Sequence, residues 1–293
     1  MHYDDGAFFR PLFENNMLQL QVARGCSHNR CKFCDMYHEA FRVSPREEVL
    51  ADLDEAQAYY ARVGRVFLTG GNALCLPQRD LVWVLGEIRR RFPSATVGCF
   101  ARVTDIARKK DGELEELVSL GLSDVSVGTE SGNDEALAAM DKGFTAQMSL
   151  EQCLRMEAAG LSYDVFYLLG MAGAGRATES AAQTAKLYSR LAPNRIMVHT
   201  MTAFPGTQLA QMIAEGEFHP AGELETVCEL RSFVGLYTPK KPVYLLGNHY
   251  GNNAHACAWL PEEKDELLRY YDRVLAESDE DELRRRRAQM PSI

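Results

Sequence analysis

The chain has 293 residues, 46% of them apolar, and 32 Lys and Arg against 41 Asp and Glu give it a formal charge of −9. This ordinary globular composition excludes intrinsic disorder, collagen-like repeats and a miniprotein held by disulfides. The acidic balance argues against nucleic-acid binding, because phosphate recognition needs excess positive charge.

The first ten residues, MHYDDGAFFR, place acids where a secretion signal would carry bases. The longest nearly uncharged stretch, Val165 to Gly175, is far short of the ~20 apolar residues that span a bilayer. A cytoplasmic protein with no membrane partner is therefore expected. Short runs rich in β-branched, aromatic or large aliphatic residues predict strands over Leu18–Val22, Arg65–Thr69, Thr96–Phe100, Asp124–Val127, Tyr163–Leu168 and Arg195–Val198. Between them, stretches such as EEVLADLDEAQAYYARV and TESAAQTAKLYSRL repeat apolar residues at three and four positions, which predicts helices with one buried face. A strand–helix–strand unit takes ~30 residues, so six consecutive units fit. The expected class is α/β, as a doubly wound sheet or part of a barrel, and both folds gather ligands beyond the C-terminal strand ends.

From about Pro205 the pattern changes to helices over 207–215, 222–235 and 261–276, around the segment GNHYGNNAHA. The expected organisation is a core over 1–207 with a helical extension over 208–293 packed on it. The tail DEDELRRRR reads as a solvated helix end, acids toward its N-terminal side and arginines toward its C-terminal side.

Of eight cysteines, Cys99 and Cys153 stand in apolar settings that suit buried thiols, and Cys75, Cys228 and Cys257 receive no role. The remaining three fall in ARGCSHNRCKFCDMY, directly after the first strand, as Cys26, Cys31 and Cys34 spaced C-x4-C-x2-C. Thiolates two residues apart can converge on one centre. Three ligands leave one position open, as in an iron–sulfur cluster that binds a further molecule. His28 offers the alternative of a closed Cys3His zinc site. Further glycine and polar turns follow later strands: Thr69-Gly70-Gly71-Asn72, Gly128-Thr129-Glu130-Ser131-Gly132 and Gly170-Met171-Ala172-Gly173-Ala174-Gly175. The last is not a dinucleotide fingerprint, since Thr178 stands where its third glycine belongs.

The cysteine loop and the order of these turns over residues 18–207 resemble the radical S-adenosylmethionine (radical SAM) superfamily. The Phe204-Pro205-Gly206-Thr207 turn resembles that of its Elp3/MiaB-like members. The family's commonest spacing is C-x3-C-x2-C, so this loop departs by one residue. The resemblance implies a partial (β/α)6 TIM-type barrel in which Cys26, Cys31 and Cys34 hold a [4Fe–4S] cluster and SAM chelates the open iron. It places Phe33 near the adenine, Gly70, Gly71 and Asn72 at the SAM amino group, and Glu130 and Ser131 at the ribose or amine. Lys142 would approach the SAM carboxylate, and Gly170 and Met171 would form a wall beside the base. Asn72 stands where the family turn has an acid, so its side-chain oxygen and backbone carbonyls would serve the amine.

The implied activity is reductive cleavage of SAM to a 5′-deoxyadenosyl radical that abstracts hydrogen from a substrate, with reduced flavodoxin or ferredoxin as electron donor. Candidate substrate contacts are Arg24, His199, Thr202, His249, Tyr250, Asn252, Asn253 and His255. Two other readings are a zinc-stabilised binding module closed by His28 and a non-catalytic iron–sulfur carrier or chaperone. Cobalamin-dependent methylation and tRNA methylthiolation are not expected, because no cobalamin-binding domain, second cysteine cluster or basic β-barrel is apparent.

Overall fold

The computed structural model describes residues 1–2, 9, 12–14, 17–37 and 39–289; most of the N-terminal segment read above lies outside them. The chain divides into two compact units. One comprises residues 1–29, 36–128 and 155–163, the other residues 30–35, 129–154 and 164 onward.

The first unit contains β1 (Leu18–Gln21), β2 (Ala23–Arg24), β3 (Arg42–Val43), β4 (Arg65–Thr69), β5 (Thr96–Ala101) and most of β6 (Leu122–Glu130). Parallel pairing runs β1-β4-β5-β6, with Leu18 opposite Val66 and Arg65 opposite Thr96. β4 buries Val66, Phe67, Leu68 and Thr69 in succession, the unbroken burial expected of a parallel strand covered on both faces. Helix Arg46–Tyr59 turns Val49, Leu53 and Ala56 inward and packs on β1 and on helix Gln78–Arg91. At the N-terminal strand ends, Arg65 forks onto Asp124 at 2.6 and 2.8 Å and reaches Glu14 through Nε at 3.0 Å. A Cβ on Gly98 would stand 2.3 Å from that guanidinium, and the β5–β6 register shifts there. The antiparallel pair β2–β3, which periodicity did not indicate, brings Ala23 opposite Val43 and Arg24 opposite Arg42. It thereby closes the base of the cysteine-bearing loop.

The second unit holds the end of β6, β7 (Ser162–Leu169, from Asp164 on), β8 (Arg195–Thr200), β9 (Val243–Leu246) and β10 (Cys257–Leu260). Its order is β6-β7-β8-β9-β10. β7, β8 and β9 are parallel, and β10 returns antiparallel to β9. Helices Ala177–Tyr188 and Glu223–Leu236 pack together. Their core is aromatic: Tyr167 lies 4.8 Å from Phe233, and Phe233 stacks on Tyr237 at 5.2 Å between ring centres.

All six expected strands are present and pair in chain order. This is the α/β topology of a partial (β/α)6 TIM-type barrel. β6 is longer than expected, running past Val127 to Glu130. The stretch after Pro205 needs one correction. Its helices lie at Gln208–Ala214, Glu223–Leu236 and Lys264–Glu277, close to expectation, but β9 and β10 lie between them. At four residues each, these strands form an antiparallel pair and so fall outside the strand–helix–strand repeat. No helix among the described residues is long and apolar enough to cross a membrane.

Candidate cofactor site

In the first unit the turn after β4 lies against the backbone of the first cysteine. Gly70 and Gly71 have φ of +104° and +31°. A Cβ at position 70 would stand 2.0 Å from the Ala23 carbonyl oxygen, and one at position 71 would stand 2.2 Å from Gly25 O and 2.7 Å from Cys26 Cα. Only hydrogen fits there. Asn72, the next residue, is 2% exposed. Its Oδ1 accepts from the Ser27 amide at 3.0 Å, and its Nδ2 donates to Ser27 Oγ and to Asp105 Oδ2, each at 2.7 Å. The side chain expected at the SAM amine thus spends its hydrogen bonds on the loop beside Cys26.

Asp105 lies just beyond β5, is fully buried, and also accepts from the Arg102 amide at 2.8 Å. Burial raises its pKa against the opposing hydrogen bonds. Lys109, also buried, donates to the Leu76 carbonyl at 2.8 Å, and burial lowers its pKa. Burial likewise pushes the Cys75 thiol up to about 12. Cys99 and Cys153 are buried as expected. Arg24 pairs with Glu48 at 3.3 Å. Sequence reasoning missed Asp105 and Lys109; the available signal was their place past a strand's C-terminal end, where ligands of such folds collect.

In the second unit the close cysteine pair forms a turn, with the Cys34 amide donating to the Cys31 carbonyl at 3.0 Å. Lys32, between them, donates to Met140 O at 3.2 Å and accepts from the Leu209 amide at 2.8 Å, which fixes the backbone at Phe33. Lys142 Nζ stands 5.5 Å over the Phe33 ring and 5.6 Å over Phe144, and it donates to Glu130 Oε1 at 3.0 Å. Three residues assigned from three separate turns therefore meet. Lys142 is 4% exposed, so it is not a solvated helix end. Glu130 holds φ of +62°, a left-handed conformation uncommon outside glycine. Ser131 is buried and accepts from the Asn133 amide at 3.0 Å.

Gly170 has φ of +78°, and its amide donates to Glu229 Oε2 at 2.8 Å; Met171 is fully buried. Glu229, 1% exposed, also accepts from Tyr167 Oη at 2.8 Å and Ser180 Oγ at 2.7 Å, and burial raises its pKa. No local pattern marked Glu229. It is one acid in the amphipathic ELETVCEL run, and only the packing of its helix turns it inward.

At the C-terminal end of β8, His199 stacks on His249 at 4.1 Å with 21° between planes, and Tyr250 lies 4.4 Å from His249. Burial lowers His199 to about 3 and His249 to about 4, and a neighbouring imidazole adds to each shift. Both rings are neutral at neutral pH. Asn252 is 3% exposed and holds the backbone, donating to Val198 O at 2.8 Å and Gly247 O at 2.9 Å and accepting from Thr200 Oγ1 at 3.0 Å. Asn253 donates to Glu223, and His255 Nε2 lies 2.6 Å from Asn252 O. Thr202 Oγ1 accepts from Arg287 Nη1 at 3.0 Å, while Arg287 Nε pairs with Glu223 at 2.7 Å. The tail reading needs amending at that residue. Arg284 and Arg286 make the exposed i,i+4 pairs of a solvated helix, but Arg287 turns inward.

Cys26 belongs to the first unit and Cys31 and Cys34 to the second. Among the described residues, no group of three or more His, Cys, Asp or Glu side chains is arranged to hold a metal ion. The chemistry of the donors suits a cluster, since thiols are soft ligands that select iron–sulfur or zinc; within the first unit, the Gly70–Gly71 turn leaves only hydrogen-sized room against Cys26 Cα.

A family model described as the radical SAM superfamily matches residues 20–188. None of the curated protein sequences compared matches the chain. Among solved structures, coproporphyrinogen III oxidase (HemN) from Escherichia coli is similar at 18% identity and a TM-score of 0.57, over 75% of this chain and 52% of that one. The radical SAM methyltransferase TsrM from Kitasatospora setae, solved with cobalamin and a [4Fe–4S] cluster, gives 19% and 0.55 over 68% and 37%. Elp3 from Methanocaldococcus infernus gives 15% and 0.50 over 76% and 55%. The likeness is one of fold, and the chain spans well under two thirds of each of these proteins.

Proposed function

This chain belongs to the radical SAM superfamily, and we propose that it is an enzyme holding a [4Fe–4S] cluster through Cys26, Cys31 and Cys34 and binding SAM beside it. When bound, such a cluster supplies a low-potential electron that splits the sulfonium carbon–sulfur bond, leaving methionine and a 5′-deoxyadenosyl radical that takes hydrogen from a substrate. The observation that carries this reading is the meeting of Phe33, Glu130 and Lys142. An ammonium, a carboxylate and an aromatic ring in one half-buried group match an amino acid joined to a nucleoside. Lys142 takes the SAM carboxylate, Glu130 the ribose hydroxyls or the amine, and Phe33 flanks the adenine.

Gly70 and Gly71 offer backbone carbonyls, Gly170 and Met171 wall the base, and Asn72 and Ser131 hold their turns in place. The neutral His199–His249 stack, Thr202, Tyr250, Asn253, His255 and Arg24 are the substrate-side groups. Uncharged imidazoles can donate or accept one hydrogen bond each without repelling a cation. The core covers 1–207 and the extension 208–293. Reduced flavodoxin or ferredoxin supplies the electron, and the cytoplasm suits so oxygen-sensitive a centre.

Anaerobic reconstitution with iron and sulfide should give broad visible absorption and, on reduction, an EPR signal. Added SAM should then yield 5′-deoxyadenosine, and Cys31→Ala should abolish both results. Zinc held by three cysteines and His28 would overturn the reading. A cluster with no 5′-deoxyadenosine would leave a carrier, and SAM cleavage by Cys31→Ala protein would remove Cys31 from the ligand set.

A further inference from the structure

We propose that Asp105 is a positioning residue for the cluster loop, acting through the Asn72 amide to fix the backbone that carries Cys26. The cluster itself rests on the function proposed above; the link from Asp105 to the loop rests on geometry alone. A carboxamide can sit either way round, with its oxygen and its NH2 exchanged. Here only one orientation works. Asn72 must present oxygen to the Ser27 amide at 3.0 Å, the first backbone donor after Cys26. Its NH2 then faces Ser27 Oγ and Asp105 Oδ2, both at 2.7 Å. Turned over, the group would set its oxygen against an acceptor-only carboxylate and its NH2 against the Ser27 N–H. The Ser27 hydroxyl can donate or accept and so enforces neither orientation. Asp105 does.

Asp105 is itself rigidly held. It is fully buried, accepts from the Arg102 amide at 2.8 Å, and stands in the short helix Val103–Ala107. Its second oxygen, Oδ1, is buried with no hydrogen-bond partner. A carboxylate in that state destabilises the fold relative to an apolar residue, and burial accordingly raises its pKa. An unfavourable group retained beside the cysteine loop is understandable if it specifies geometry. Little slack exists to absorb a change. Gly71, adjoining Asn72, is so close to Gly25 and Cys26 that a methyl group would overlap both, so a turn that shifts must carry Cys26 with it.

The test uses wild type, Asn72→Ala, Asp105→Ala, the double variant and Asp105→Asn. In iron-free protein, iodoacetamide labelling of each cysteine is followed by mass spectrometry. Losing a charge-assisted hydrogen bond should speed labelling of Cys26 roughly tenfold in either single alanine variant, with Cys228 unchanged. The double variant should label no faster than Asn72→Ala. Asp105→Asn, which keeps an acceptor for the Asn72 NH2, should stay within about threefold of wild type. In reconstituted protein, iron release to a chelator should follow the same order. Unchanged Cys26 labelling in Asp105→Ala, additive effects in the double variant, or equal acceleration at Cys228 would each overturn the proposal. Should wild type take up no iron while Cys26 labelling behaves as stated, the proposed function fails and the Asp105–Asn72–Ser27 link stands.

Discussion

Replacing Gly71 with alanine should damage cluster binding more than its backbone angle alone explains. The added methyl would stand 2.2 Å from Gly25 O and 2.7 Å from Cys26 Cα, where ordinary contact begins at 3.4 Å. The cysteine backbone would have to retreat by about 1 Å, and overpacking of that kind costs about 1–3 kcal/mol. A left-handed φ adds about 1–2 kcal/mol for any residue with a Cβ. Gly160 separates the two contributions, since its φ is +73° and nothing lies within 4 Å of a Cβ there. At about 2–4 °C per kcal/mol for a chain of this size, Gly160→Ala should lower Tm by about 2–8 °C, and Gly71→Ala by about twice as much. Differential scanning calorimetry of iron-free protein gives the first number, and iron per chain after reconstitution gives the second. Gly160→Ala should bind iron like wild type, and Gly71→Ala should not. Melting temperatures and iron contents that match between the two variants would refute the reasoning, because the close approach to Cys26 would then carry no energy.

Lys142→Met should lose about 3–5 kcal/mol by stranding the Glu130 carboxylate, and it should weaken SAM binding measured by equilibrium dialysis. Adding Glu130→Gln should restore the urea midpoint but not the SAM affinity. Glu229→Ala leaves the Tyr167 hydroxyl, the Gly170 amide and the Ser180 hydroxyl without their acceptor. At about 1–3 kcal/mol per buried unsatisfied group, it should fold poorly, whereas Glu229→Gln should retain most stability in urea denaturation. His199 titrates at 6.5 when unfolded and at about 3 when folded, so below pH 6.5 the unfolded chain binds the proton first. Its contribution is complete above that pH and is lost as pH falls toward about 3, the loss amounting to about 2 kcal/mol by pH 5. His199→Phe should flatten the decline in urea midpoint between pH 7 and pH 5; an unaltered slope would place the acid sensitivity elsewhere.

Local pattern was sufficient for the six strands of the strand–helix repeat and for the chemistry carried by spacing. The run Arg65–Thr69 emerges with the same ends in the structure, because its burial is a property of five adjacent residues. The cysteine spacing, the Gly-Gly turn and Phe33 were legible for the same reason: each is defined within a few residues. β9 and β10 escaped because they form an antiparallel pair beside β8, outside the alternation of strand and helix.

What the order of amino acids determined, then, is the alternation of strands and helices and the presence of thiols, a cation, a carboxylate and tight turns after particular strands. Those properties depend on neighbours along the chain. The tertiary structure decided which side chains face which. It paired Lys142 with Glu130 over Phe33, set Asn72 onto Ser27 under the hold of Asp105, and drew Glu229 and Arg287 in from the far end of the sequence. Hydrogen bonds between residues 33 to 85 positions apart leave no trace in local periodicity. They form only when packed elements bring donor and acceptor within about 3 Å.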